Sequence, residues 1–449
     1  MPPAEHGCDG CLRLDIPARL VLATWLSLGL AACAPAPPPA VPDRAPAEKT
    51  LTFSILEDYD KGDALSEVAR DFALFRELNV LTWRGSFGWD DYEPVRERYD
   101  FAWLHQFMQL AEQEGISLRP YIGYTPEWAA GGKDRDGQAW NQPPRDQHGW
   151  SAFVKALAGE AQHHTNLRSF EVYNEQNVEQ WWEGTVDEYA ATLLSAAAAT
   201  PRVDLLMGGL VFPDVEWIEG LCDDEQAGSA FGVLPLHAYP ETWTPEGVTV
   251  ENYLGEGFRK GFVPTADRLC GRKRIWINET GFATVPGKSE LDQAAWWVRA
   301  IATFAAEPRV EHVGIYEIKD LPPDRPAIGD APNYHLGLTR RDRTKKLAFS
   351  TVKMMVALLG GQAFVPGRLE MTRRAPIAEL HHHSFARTDG TLVFMIWNRT
   401  NDETMTVALP RAGSLVEHAL DGNSAAATLQ DGNLQVSLRR GIPRIFELR

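Results

Sequence analysis

The sequence predicts an α/β protein: a (β/α)8 barrel of the TIM type followed by a small C-terminal β-sandwich. Three observations carry that prediction. Short apolar runs alternate with longer amphipathic stretches from residue 51 to about 358, the pattern of parallel strands joined by helices. Eight such runs can be counted, and eight strand and helix units need about 250 residues or somewhat more. From 359 to 449 the texture turns to period-two alternation broken by turn dipeptides, which reads as antiparallel β structure.

In order, the candidate strands are Leu51 to Leu56, Val80 to Arg84, Ser117 to Ile122, Ser169 to Tyr173, Leu205 to Gly208, Gly232 to His237, Arg274 to Asn278 and His312 to Glu317. Helical patterns between them include Ala64 to Leu78, Phe101 to Glu114, Trp150 to His164, Val186 to Ala199 and Leu291 to Ala306. The longest connection follows the third strand, from Gly123 to Trp150, and mixes Gly, Pro and Trp in the manner of a cleft wall. After Lys345 to Gly361 comes alternation such as Leu392 to Asn398, with turns signalled at Asp389-Gly390, Asp421-Gly422 and Asp431-Gly432. This sandwich reads as a packing accessory, because Trp397 lies in an apolar strand and not on an exposed platform. Glycan binding by it is the other reading. No internal repeat is visible.

Residues 1–33 read as an export signal, with Arg13 and Arg19 ahead of an apolar run, Leu20 to Leu30, too short to span a bilayer comfortably. That run ends in Leu30-Ala-Ala-Cys33, which resembles the bacterial lipoprotein box and implies lipidation of Cys33. An incidental Cys beside an ordinary cleavage site is the alternative. Ala34, where an Asp would mark inner-membrane retention, points to the outer membrane or cell surface. The long stretch before Arg13, with Cys8 and Cys11, leaves the true start open. Residues 34–50 are rich in Pro and Ala and form a tether. Cys222 and Cys270 then remain, and an exported setting permits a disulfide between them, with two buried thiols as the other reading.

Among the 449 residues, 44 Lys and Arg face 61 Asp and Glu, a net charge of −17. Nucleic acid is excluded as a partner, since phosphate binding needs clustered positive charge; a neutral or cationic polymer fits. The segment Ser169-Phe-Glu-Val-Tyr-Asn-Glu175 ends on a glutamate, and so does Ile275-Trp-Ile-Asn-Glu279. In a barrel both lie at the C-terminal rim where active sites gather. Paired carboxylates there suit glycoside hydrolysis, one giving a proton to the leaving oxygen and one meeting the cationic sugar carbon. The acid must keep its proton near neutral pH, which needs desolvation or a neighbouring negative charge. Asn174 can donate to a sugar 2-hydroxyl.

These residues resemble clan A glycoside hydrolases, nearest in pattern to family 39 and related bacterial polysaccharide hydrolases. The likeness covers most of residues 51–360 and rests on Tyr173 to Asn177 followed by Trp181-Trp182, on Ile275 to Glu279, and on Asn333 to Leu338 with Lys346 to Ala348 behind it. It implies Glu175 as acid/base, Glu279 as nucleophile and a retaining mechanism on a polysaccharide or oligosaccharide. It also places His237 and Tyr239 near the site, where Tyr239 would hydrogen-bond Glu279, or else satisfy its hydroxyl on backbone. Arg84 would stabilise the nucleophile carboxylate or form a structural ion pair. Where the clan often carries Trp on the eighth strand this chain has Tyr316. Glu317 and Asp320 either face the cleft or pack against a neighbouring strand end. Trp128, Trp181, Trp182 and Trp243 fall in βα loops, where indoles either stack on sugars or pack locally.

His381, His382 and His383 cannot share one ion from a regular strand, because neighbours face opposite sides. No phosphate loop, zinc spacing or calcium loop is present. No cofactor or metal is expected, and the chain is expected to act as a monomer. An exo-acting β-xylosidase-like enzyme and a non-catalytic carbohydrate-binding lipoprotein are the alternatives.

Overall fold

The computed structural model describes residues 47–131, 136–323, 330–367, 369, 377–430 and 432–449. The export signal, Cys33 and most of the expected tether lie outside the described residues. Among the described residues no helix is long and apolar enough to cross a membrane.

Eight parallel strands form the barrel: β1 (Thr52–Leu56), β2 (Thr82–Arg84, resuming as Ser86–Gly88), β3 (Ser117–Leu118, resuming as Tyr121–Gly123), β4 (Ser169–Val172), β5 (Asp204–Met207), β6 (Val233–His237), β7 (Arg274–Thr280) and β8 (Val310–Tyr316). The ring is closed. β2 meets β1 through Ile55 and Trp83, and it meets β3 twice, at Thr82 opposite Ser117 and at Ser86 opposite Tyr121. Pairing then runs through Tyr121 and Glu171, Phe170 and Leu205, Leu206 and Val233, Ile277 and Leu236, and Ile277 and Val313, and returns from β8 to β1 at Ile315 and Ile55. The break in β2 is made by Gly85, where a Cβ would stand 2.1 Å from the Trp83 indole and 2.9 Å from the Glu57 carbonyl. β3 breaks at Pro120, which has no N–H for the ladder.

Each strand is followed by a helix: α1 (Leu65–Leu78), α2 (Ala102–Gln113), α3 (Gln147–Ala161), α4 (Val186–Ala199), α5 (Val215–Cys222), α6 (Val263–Leu269), α7 (Glu290–Ala306) and α8 (Leu347–Leu359). Their starts are written locally. Thr185 with Glu188 and Ser289 with Asp292 form capping boxes, and the Asp146 carboxylate accepts from the His148 N–H. α7 is buried from Gln293 through Ala305, unlike the one-sided helix expected. Its run Ala-Ala-Trp-Trp-Val-Arg-Ala-Ile-Ala-Thr-Phe carries one charge, Arg299, which is paired with Glu241 and Glu251, and the C-terminal sheet and α8 cover the face that the barrel leaves.

That sheet contains β9 (Ala363–Gly367), β10 (Leu380–Arg387), β11 (Leu392–Asn398), β13 (Leu415–His418), β14 (Ser424–Ala426) and β16 (Arg444–Leu448), and a second pair, β12 (Glu403–Ala408) and β15 (Asn433–Leu438), faces it across a core of Phe394, Ile396, Val407, Val436 and Phe446. A short strand, Lys49–Thr50, pairs antiparallel with β9, so residues 49 and 50, expected in the tether, are fixed edge residues. Trp397 is fully buried and donates to Glu251 of the barrel at 2.8 Å, while His381 stacks on it and His383 meets it at a tilt. The Leu369 N–H donates to Nδ1 of His382. Cys222 and Cys270 form a disulfide joining the ends of α5 and α6.

Candidate active site

The strand ends gather one charged cluster. At the end of β4 the chain turns through Tyr173 (φ 61°) and Glu175 (φ 51°), conformations rare for residues with a side chain and enriched at functional sites. The Glu175 N–H donates to the Gly209 carbonyl at 2.9 Å, which fixes this turn against the end of β5. Gly209 has a second duty: a Cβ there would stand 2.1 Å from Nε2 of His237. The imidazole therefore lies flat under bare backbone, with Nδ1 2.6 Å from Oε1 of Glu175 and Nε2 3.6 Å from Oε2 of Glu279.

Glu279, on β7, is held from three directions. Arg84 donates to Oε2 at 2.6 Å, Tyr239 donates its hydroxyl to Oε1 at 2.6 Å, and His237 stands behind. Arg84 is itself fixed by two hydrogen bonds to Glu171, at 2.7 and 2.9 Å, and gives a further one to Oδ1 of Asn174 at 2.9 Å. With its carbonyl oxygen occupied, Asn174 keeps its NH2 as a donor. Oxygens of Glu175 and Glu279 and a nitrogen of His237 lie within 4.8 Å of one another.

Burial raises the pKa of Glu175, and the charge of Glu279 adds to this against the hydrogen bond from His237. Burial also pushes Glu279 up, but His237, Arg84 and Tyr239 outweigh it and leave the carboxyl below its ordinary value. Burial lowers His237, and the two glutamates reverse that into a net rise. The two carboxyls are thus driven apart, a proton being favoured on one and disfavoured on the other.

Glu175, Glu279, Asn174, Arg84, His237 and Tyr239 are all brought together here. Tyr316 closes the floor: its ring meets Tyr239 edge-on at 6.2 Å and shares an apolar cluster with Tyr121 and Leu336. Three expected site residues lie elsewhere. Glu317 is buried in a charge cluster with Glu57, Asp58 and Lys319, so it packs behind the floor and away from the carboxyl pair. Trp182 is buried edge-on against Tyr173 and Tyr189 and donates to the Thr185 carbonyl. Trp128 packs edge-on against Trp89, lies under Arg96 and donates to the Glu93 carbonyl. Both indoles build loop cores, which is where a large aromatic goes when its N–H finds backbone. Asp320 is an ion-pair partner of Lys346. The indoles that reach the rim are Trp243, 39% exposed and 4.5 Å from the Tyr239 ring, and Trp181, which meets Tyr124 and Trp140.

Sequence reading overlooked Glu171 and Asn278, which anchor Arg84 from below; Nδ2 of Asn278 donates to Glu171 at 2.9 Å. The signal was a carboxylate inside an apolar strand, which must be paired where it is buried. It also overlooked Asp58, which accepts from the Tyr121 hydroxyl at 2.8 Å while the Tyr121 ring lies under Arg84.

The barrel and sandwich are the fold of clan A glycoside hydrolases. A beta-galactosidase family model, glycosyl hydrolase family 42, matches residues 59–131. The chain is similar to a family 39 glycoside hydrolase from Bacteroides cellulosilyticus WH2 (18% identity, 89% of this chain and 81% of that one, TM-score 0.69). It is also similar to a monomeric beta-xylosidase from Caulobacter crescentus (16% identity, 90% and 97%, TM-score 0.64). A third likeness is to a family 30 endoxylanase from Clostridium papyrosolvens (14% identity, 90% and 97%, TM-score 0.62). No curated protein matches the chain.

Proposed function

We propose that this chain is a retaining glycoside hydrolase that cleaves O-glycosidic bonds in an oligosaccharide or polysaccharide. The observation that carries the reading is a pair of carboxyls with oxygens within 4.8 Å and oppositely shifted acidities. Retaining enzymes hold their carboxyl groups ~5–5.5 Å apart, whereas inverting ones leave ~6.5–9.5 Å for a water. Glu175 protonates the glycosidic oxygen while Glu279 attacks the anomeric carbon; the bond to the leaving group breaks and a glycosyl ester forms. Glu175, now ionised, takes a proton from water, whose oxygen attacks the same carbon and frees Glu279. The NH2 of Asn174 binds the sugar 2-hydroxyl as the ring gains positive charge. Trp243 and Trp181, on loops either side of the carboxyls, offer faces for further sugars.

The lipoprotein box at Cys33 adds export and a lipid anchor to this reading; labelled palmitate should enter the wild type but not Cys33→Ser. The function is tested by incubating the protein with a panel of polysaccharides and aryl glycosides and following the anomeric proton by NMR. First release of the retained anomer, lost in Glu279→Gln, is expected; an inverted product, or no hydrolysis across the panel, would overturn the proposal. An exo-acting reading, favoured by the likeness to the Caulobacter enzyme, requires monosaccharide as the first product.

A further inference from the structure

Away from the strand ends, α2 and the turn after α3 bring two histidines face to face on the outer surface. Nδ1 of His105 stands 3.2 Å from Nε2 of His164. The outer nitrogen of each ring is engaged by a carboxylate: Nε2 of His105 lies 2.5 Å from Glu160, and Nδ1 of His164 lies 3.2 Å from Glu112. Glu112 is held in place by the N–H and hydroxyl of Thr165, at 2.5 and 2.9 Å.

A carboxylate only accepts, so each outer nitrogen carries the hydrogen. In a neutral imidazole the other nitrogen then carries a lone pair. Two neutral rings would therefore point lone pairs at each other across 3.2 Å, with two carboxylates behind them. Such a pair needs positive charge between the rings, either a shared proton or a metal ion. We propose that His105 and His164 bind a divalent transition-metal ion of the zinc or copper type through these two nitrogens. The spacing fits, because two nitrogens at 2.0–2.1 Å from a tetrahedral zinc are roughly 3.3–3.4 Å apart. The surroundings fit as well: metal-bound histidines pass their other N–H to a carboxylate, which sets the tautomer and makes the ring a better donor. The two glutamate charges are balanced by one divalent ion. His163, exposed and with its ring centre 6.3 Å from that of His105, supplies a third nitrogen after a side-chain rotation, and water fills the remainder. The ion ties α2 to the end of α3.

The test titrates the full chain, stripped with chelator, with Zn2+ alone, using calorimetry for stoichiometry and thermal unfolding for stabilisation. Saturable binding at one equivalent, with a thermal midpoint that climbs with Zn2+, is expected. Binding should be lost in His105→Gln and His164→Gln and weakened about 10- to 100-fold in Glu112→Gln, while the metal-free midpoint and the glycosidase rate of His105→Gln stay at wild-type values. Copper should bind more tightly than zinc. No saturable binding up to about millimolar Zn2+ would mean that the rings share a proton instead and would overturn the proposal. Equal binding by wild type and both histidine variants would also overturn it, by placing the ion at Glu175, His237 and Glu279.

Discussion

Replacing Tyr239 with Phe removes one hydroxyl and leaves the ring, so it isolates one of the forces that keep Glu279, the proposed nucleophile, ionised. That hydroxyl donates to Oε1 of Glu279 at 2.6 Å, while Arg84 keeps its own bond to Oε2. The ring still packs edge-on against Trp243 and Tyr316. A hydrogen bond to a charged group contributes about 1.5–3 kcal/mol, and about 1.4 kcal/mol is a factor of ten. Ionisation of Glu279 therefore becomes roughly 10- to 150-fold less favourable, and the acid limb of the rate profile moves toward neutral pH. On that limb kcat/KM should fall by about the same factor, with a much smaller loss at the neutral plateau. The assay is kcat/KM against pH on an aryl glycoside with a good leaving group, chosen so that protonation by Glu175 matters little. A loss equal at every pH would show that Tyr239 acts on the sugar, and an unmoved acid limb would refute its role on Glu279.

Glu175→Gln should keep rates within about tenfold on aryl glycosides with good leaving groups and lose roughly 10²–10⁴ on natural glycosides, while Glu279→Gln abolishes both; equal losses would contradict the assigned roles. Asp90, behind Tyr124, is pushed up to about 7 by burial and then by Asp91, so in the folded state it holds its proton over a range where the unfolded chain has released it. Its contribution is complete below the unfolded value of 3.8 and is lost as pH rises through about 7. Asp90→Asn should then stabilise the protein at pH 8 by on the order of 2–4 kcal/mol relative to its effect at pH 4, read by urea unfolding; a pH-independent effect would refute this. The bond between Cys222 and Cys270 closes a loop of 48 residues, for which chain entropy gives about 4 kcal/mol. The double Ser variant should lose up to that amount in urea with kcat unchanged, and free thiols in the oxidised wild type would contradict the bond.

The barrel was legible because strands buried on both faces read as apolar runs, and their spacing left room for helices. Strand ends were read less well. β7 runs on through Thr280, and β2 resumes after Gly85 to reach Gly88, because the ladder of a neighbouring strand can continue pairing past a local break. Glu175 and Glu279 stood out as charges ending apolar runs, and position on a strand end dictates direction in a barrel. The tryptophans did not read out, because a loop indole goes wherever its turn sends it. Trp182 turns inward because Thr185 offers a carbonyl to its N–H, while its neighbour Trp181 turns to the rim. Glu317 follows Tyr316 directly but lies past the end of β8, where strand alternation no longer fixes which way a side chain points.

The charges around Arg84 give a physical reason for a proton to be favoured near Glu175. Glu171, Glu175 and Glu279 converge with Arg84 and His237 in one buried group. With every carboxyl ionised and the imidazole neutral, three negative charges would face one positive charge out of water, a costly arrangement. Glu171 is matched by the paired bonds of Arg84, and Glu279 takes its third nitrogen and the Tyr239 hydroxyl. Glu175 has neither and meets only the imidazole, so the cluster lowers its net charge by keeping a proton within the Glu175 and His237 pair, consistent with the upward shift of both. In the proposed double displacement, esterification of Glu279 to sugar removes its charge. The reason for retaining that proton would weaken with it, Glu175 would become easier to ionise, and the proposed acid of the first step would be prepared to serve as base in the second. This reversal needs no movement of the backbone, only the loss of one charge 4.8 Å or less away.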